Sequence, residues 1–247
     1  MKNVKAVILA AGEGTRMRSP LSKLIHRVGY QSLVEFPAKA CIESEIDETI
    51  IVVGYQADKI KDILGEKFTY VHQEKRLGTG DALRQTVLLL KNFKGELVVL
   101  PGDAPLITSS VIAKLIHRHR EKKPAATVVT AFSSNPGYYG RIIYDGYLGI
   151  KKIVESKDAS LEEIKVKEIN SSIYCFDTQK LLPLLPQLNC NNVKKEYYLT
   201  DVISLFNQRG FRVEALRVDD PTIVLGVNTK KDLKRVIQIM KEKNIFK

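Results

Sequence analysis

A chain of 247 residues fits one large α/β domain or two small ones and can bury a substantial core. Its 44% hydrophobic and 27% charged residues are ordinary for a soluble globular protein, and no stretch approaches a membrane span. The formal charge of +11 favours anionic ligands, but the basic residues are spread out with no aromatic-interleaved stripe. Phosphorylated small molecules are therefore expected as partners, with no nucleic acid and no membrane.

In chain order, "VKAVILA" reads as a fully buried strand. "TIIVVGY", "FTYVHQ" and "GELVVLPGD" read as three more. Helical patterns lie between them at about Leu33–Ser44, Ala57–Leu64 and Thr79–Lys91, and a fourth follows at Ser109–Arg120. Apolar strands alternating with amphipathic helices predict βαβ units and a parallel sheet. Pro37 predicts a kink or a late start in the first helix. After residue 124 the helices give way to short turns between "AATVVTAF", "GRIIYD", "LGIKKIVE" and "VKEINSSIYCFD". Helices return at Thr178–Leu188 and Leu199–Arg209; "FRVEALRV" and "TIVLGV" read as strands, and a last helix runs from about Thr229. The expectation is one α/β unit with two lobes, about 1–123 and 124–228, followed by a helix over 229–247.

Met1 leads straight into the first strand, so no signal segment is expected. Three scattered cysteines form no CxxC pair, which predicts a reduced, cytoplasmic setting without disulfide or zinc.

The chemistry begins where the first strand ends. Ligands in doubly wound sheets sit beyond the carboxyl ends of the strands. The loop Gly12-Glu13-Gly14-Thr15-Arg16 lies there, with glycines that bare backbone amides and an arginine that adds a forked cationic donor. It is neither a Walker A loop nor a complete G-x-G-x-x-G fingerprint. Asp103 ends the fourth buried strand, where an acid is poor core material and well placed for a hard cation. Gln73 offers an amide that can pair with a pyrimidine edge, and Thr79 reads as a helix cap. Asn228, taken alone, reads as the cap of the last helix.

The segments "LAAGEGTRM", "SKLIH", "QEKRLGTGDAL", "LPGDAPLI", "YYGRII", "IVESKDAS", "EINSSIY", "EYYLTD" and "GVN" occur in one order along almost the whole chain. In these the sequence resembles the sugar-nucleotide pyrophosphorylases, and within them the uridyltransferase domain of bacterial bifunctional N-acetylglucosamine-1-phosphate uridyltransferase/glucosamine-1-phosphate acetyltransferases. The resemblance implies a Rossmann-like nucleotidyltransferase fold, a mostly parallel mixed sheet flanked by helices, with a β-rich sugar-binding lobe. It implies uridylyl transfer from UTP to a sugar 1-phosphate, N-acetylglucosamine 1-phosphate, with Mg2+ as cofactor. Leu9, Ala10, Ala11 and Gly12 would line uracil and ribose, with Gly14 and Thr15 in the same loop. Arg16 and Lys23 would neutralise the triphosphate. Gln73, Gly78 and Thr79 would hold the base. Asp103 and Asn228 would hold the metal. Gly140, Glu155, Asn170, Tyr198 and Thr200 would hold the sugar.

Two departures stand out against that family: Ser22 where it usually has proline, and Ser171-Ser172 where Thr-Gly is common. No Ser-His-Asp or Cys-His signature is present, which fits direct in-line attack on the α-phosphorus. No hexapeptide repeat occurs, so no acetyltransferase activity and a monomer or weak oligomer are expected. Two alternatives remain: a related nucleotidyltransferase with another sugar or NTP, and a non-catalytic nucleotide-sugar binding module.

Overall fold

The computed structural model describes residues 2–147 and 149–245. Its first part runs β1 (Val4–Ala10), a small hairpin of β2 (Arg27–Val28) and β3 (Gln31–Ser32), α1 (Glu35–Glu43), β4 (Glu48–Val53), α2 (Ala57–Leu64), β5 (Thr69–His72), α3 (Thr79–Arg84), α4 (Val87–Leu90), β6 (Glu96–Pro101) and α5 (Ser109–Lys122). The second part runs β7 (Ala126–Phe132), β8 (Arg141–Tyr144), β9 (Ile150–Val154), β10 (Glu168–Asp177), α6 (Thr178–Leu181), α7 (Asp201–Gln208), β11 (Val213–Val218) and α8 (Lys230–Glu242). Leu148 of the expected "LGIKKIVE" strand, and Phe246 and Lys247 of the expected last helix, lie outside the described residues.

Among the described residues nine strands form one sheet, in the order β11-β7-β10-β6-β1-β4-β5, with β8 on β10 and β9 on β8. β1 pairs in parallel with β4 and β6, and β4 with β5. β10 runs antiparallel between β6 and β7, so one strand from the later part of the chain enters the parallel half. The fold is therefore the expected mixed α/β sheet flanked by helices. Alternation along β1 splits the core between its two faces. Val7 packs with Val52, Val99 and Phe206 on one side, and Ile8 packs with Ile51, Leu100 and Leu115 on the other. Both sides are fully dry, which is why these strands read as unbroken apolar runs.

Four local expectations change. The helix expected over Thr79–Lys91 divides at Thr86, whose hydroxyl donates to the Leu83 carbonyl at 2.8 Å and competes with the helical pattern. The helix expected over Thr178–Leu188 stops at Leu181, ahead of Pro183, and a single 3-10 turn follows at Leu185–Gln187. "TIVLGV" is no strand: Pro221–Val224 form a 3-10 turn capped by Asp220, which accepts from the Thr222 amide at 2.9 Å. Thr79 does not cap α3, because Gly78 is its N-cap residue. Pro37 produces the late start. It is the third residue of α1, where its missing N–H has no intrahelical partner to lose.

Candidate active site

Leu9 and Ala11 belong to the β1 face that carries Val7, and both line a cavity of about 420 Å³ at the carboxyl end of the sheet. Ala10 points the other way into the opposite core layer, so only its backbone is available to a ligand. Gly12 lines the cavity, and a Cβ built on it meets nothing within 4 Å, so the chain is open there. Gly14 is left-handed, at φ 73°, and a Cβ on it would lie 2.7 Å from the Lys23 side chain. Glycine at this position lets Lys23 cross the loop. Gly14 and Thr15 do not line the cavity; Thr15 opens the 3-10 turn that carries Arg16.

Lys23 rises from the next 3-10 turn, which Ser22 caps by accepting from the Leu24 amide at 3.4 Å. The Ser22 amide donates to Gln56 Oε1 at 2.9 Å, and Gln56 Nε2 donates to the Pro20 carbonyl at 3.0 Å. One amide side chain thus ties this loop where the resembling family usually has proline. Lys23 Nζ donates to Asp103 Oδ2 and, at 3.0 Å, to Asn228 Oδ1. Arg16 Nη2 donates to the same Asn228 oxygen at 2.8 Å.

Asn228 is free to do this because it is not the helix cap. Thr229 caps α8 in a capping box with Asp232. The Val227 amide donates to the Asp103 carbonyl at 2.9 Å, and the Gly226 amide to the Tyr139 hydroxyl at 3.0 Å. These two bonds pin "GVN" beside the end of β6. An ammonium therefore already sits between Asp103 and Asn228 oxygens, a donor set that suits a hard divalent cation completing its shell with water and phosphate. Among the described residues no group of three or more His, Cys, Asp or Glu side chains could hold a metal, so any ion here would lean on its substrates.

Gln73 and Gly78 line the cavity beside the first loop. Glu13 and Arg76 bridge the two loops at 3.2 Å. Gly78 has φ 110°, and a Cβ on it would lie 2.5 Å from the Tyr197 carbonyl. That close approach fastens "EYYLTD" to the segment that follows Gln73: the Gly80 amide donates to Tyr197 O at 2.8 Å and the Leu199 amide to Thr79 Oγ1 at 3.1 Å. Tyr198 and Thr200 line the same cavity as Gln73 in consequence.

Gly140, Glu155 and Asn170 close the far wall. Burial raises the Glu155 carboxyl above its ordinary pKa, and the nearby Lys194 charge opposes the shift. Thr200 Oγ1 donates to Glu155 Oε1 at 3.4 Å. Asn170 Nδ2 donates to the Tyr174 hydroxyl at 2.8 Å, and Asn170 Oδ1 accepts from the Ser172 amide at 3.1 Å. The Tyr198 hydroxyl is buried without a hydrogen-bond partner among the described residues. Ser172 sits in a bulge of β10 with φ 62°, a left-handed serine on the cavity wall.

The cavity thus gathers fourteen of the residues singled out from the sequence besides Leu9, and leaves Ala10, Gly14 and Thr15 behind it. Sequence reasoning missed Arg76 and Lys194, which also line it. Lys194, in the basic pair before "EYYLTD", lies 5.8 Å from the Tyr198 ring, and that pair was the only signal for it.

A nucleotidyl transferase family model matches residues 5–220. The bifunctional protein GlmU of Acetivibrio thermocellus is 45% identical over 98% of this chain and 53% of its own length. GlmU of Carboxydothermus hydrogenoformans is 43% identical over 94% of this chain and 52% of its own. The chain thus spans about half the length of these curated relatives. Among solved structures, a UDP-glucose pyrophosphorylase complexed with UDP-glucose aligns with TM-score 0.80 at 17% identity, over 97% of this chain and 99% of its own. A nucleotidyl transferase from Methanothermobacter thermautotroptrophicus aligns with TM-score 0.68 at 17% identity, over 99% and 100%. These two show the fold. With the family model spanning most of the sheet and the loops around the cavity, the chain belongs to the nucleotidyl transferase family.

Proposed function

We propose that this chain transfers the uridylyl group of UTP to N-acetylglucosamine 1-phosphate, giving UDP-N-acetylglucosamine and pyrophosphate, with Mg2+. The observation that carries the reading is the meeting of Lys23, Arg16, Asp103 and Asn228 at one point between the first loop and the Gly140 wall. Pure binding of a nucleotide-sugar does not call for such a set of charges. The 45% identity to a GlmU supports the same reading, since UTP and N-acetylglucosamine 1-phosphate are the substrates implied by the sequence resemblance.

In this mechanism the open backbone at Leu9, Ala11 and Gly12 takes the nucleoside, with Gln73 against the base. Gly140, Glu155, Asn170 and Thr200 orient the sugar. A phosphate oxygen of the sugar 1-phosphate attacks the α-phosphorus, a new P–O bond forms, and the bond to the β-phosphate oxygen breaks. Pyrophosphate leaves with that electron pair. Arg16 and Lys23 hold cationic donors where negative charge builds up. Bound at Asp103 and Asn228, Mg2+ would neutralise charge between the two phosphorylated substrates. The transfer needs positioning and charge neutralisation and no covalent enzyme intermediate.

A panel of four NTPs against N-acetylglucosamine, glucose and galactosamine 1-phosphates, with products separated by chromatography, tests this. UDP-N-acetylglucosamine should dominate. Ser172 gives a specific reason to include the other sugars, since its side chain stands on the sugar wall. A dominant product with another sugar would replace the assignment, and no product from any pair would leave a binding module.

A further inference from the structure

Gln73 follows directly on β5, its amide donating to the Val53 carbonyl at 2.8 Å. Its side chain is almost wholly buried at the cavity edge, with 4% of the residue exposed. Both protons of Nε2 are used: one goes to the Gly78 carbonyl at 3.1 Å and one to Asp81 Oδ2 at 2.7 Å. A carboxylate and a carbonyl can only accept, so a flipped amide would press its oxygen against two others. Asp81 is itself buried in the first turn of α3, and its other oxygen accepts from Gln85 Nε2 at 3.4 Å. The Gln73 carbonyl oxygen accepts no hydrogen bond among the described residues. It is the half of the amide left for a ligand.

We infer that Asp81 is a positioning residue that locks the Gln73 amide with its acceptor toward the base, so that the site selects a pyrimidine offering an N–H. The sequence alone allowed Gln73 to donate as well as accept; the two bonds to Gly78 and Asp81 remove the donor. Uracil carries N–H at ring position 3. Cytosine has a bare acceptor there, which would face the Gln73 oxygen. This rests on the nucleotide assignment proposed above, and it concerns a side chain that makes no contact with substrate.

The test is equilibrium binding by calorimetry, which needs no turnover. UTP, CTP and 3-methyluridine triphosphate are titrated into the unmodified chain and into Asp81→Asn. In the unmodified chain, UTP should bind at least about tenfold more tightly than the other two, the worth of one hydrogen bond made or left unpaired. In Asp81→Asn the new amide can donate to Gln73, one of the two bars to the flip is removed while the Gly78 carbonyl stays, and the preference for UTP over CTP should narrow by at least about threefold. A structural role alone would lower the melting temperature without moving that ratio. An unchanged ratio in a folded Asp81→Asn overturns the role of Asp81. If that variant does not fold, 3-methyluridine triphosphate decides on the unmodified chain: binding equal to UTP overturns the acceptor geometry. Failure to bind any of the three removes the nucleotide assignment itself.

Discussion

Replacing Asp103 with asparagine keeps the side chain's size and one carbonyl oxygen but deletes its negative charge. The side-chain partner in the structure is Lys23, and the two side chains are 12% and 16% exposed. Breaking a buried ion pair can cost several kcal/mol, but Lys23 keeps Asn228 Oδ1 at 3.0 Å and reaches solvent. The expected loss of stability is therefore small, about 1 kcal/mol, or a few degrees in melting temperature for a chain of this size. The backbone bond from Val227 to Asp103 survives. Charge loss weighs differently on function. One unit charge about 4 Å from another contributes roughly 4 kcal/mol at an effective dielectric of about 20. Against a cation beside the α-phosphate, that predicts a fall in kcat/KM of about a thousandfold. The assay is pyrophosphate release under a Mg2+ titration, with a melting curve on the same sample. A folded Asp103→Asn within about fivefold of the unmodified rate would refute the placement of the cation at this carboxylate.

Three other perturbations separate the walls of the cavity. Ser172→Gly relieves a left-handed serine, worth about 1–2 kcal/mol, against about 0.4–1 kcal/mol of extra chain entropy on unfolding. It should raise the melting temperature slightly and change the ratio of kcat/KM between N-acetylglucosamine and glucose 1-phosphates; a lower melting temperature contradicts the strain. Glu155→Gln should raise KM for the sugar 1-phosphate by about 10–100-fold, the worth of a hydrogen bond to a charged group, while UTP binding by calorimetry stays put. Equal losses for both substrates would mean that Glu155 supports the whole cavity. Asp201 is raised to about 6 by burial first and by the charge of Asp158 second. Its folded form binds a proton more tightly than its unfolded form, so stability is lost as pH rises from about 4 to about 6. Asp201→Asn should therefore match the unmodified chain near pH 3.5 and exceed it at pH 8 by roughly 1–2 kcal/mol, discounted for partial exposure. Equal denaturation midpoints at pH 8 would contradict the shift.

Much of this was legible in the residues because the information is local. Strands buried on both faces are continuous apolar runs, so β1, β4 and β6 announce themselves. The first loop, Gln73 and Asp103 are legible because each sits where a strand ends. Other features depend on what lies across the fold. "TIVLGV" has a strand's composition, yet its polar groups are met by Tyr139 and Asp103 instead of a neighbouring strand. Asn228 precedes a better cap, Thr229, and only the capping box reveals that its side chain is free. Lys194 carried no signal beyond its charge, because its place on the cavity is set by the strap between Gly80 and Tyr197. The left-handed turn at Ser172 and the polarity of the Gln73 amide are likewise products of packing. Neither the serine nor the aspartate eight residues after Gln73 shows its role in sequence.

The most direct test of the account is pyrophosphate release by the purified chain from UTP and N-acetylglucosamine 1-phosphate with Mg2+, with EDTA in a parallel sample. Release should require both substrates and stop with EDTA. A folded, UTP-binding chain that releases no pyrophosphate, or releases it undiminished in EDTA, would contradict it.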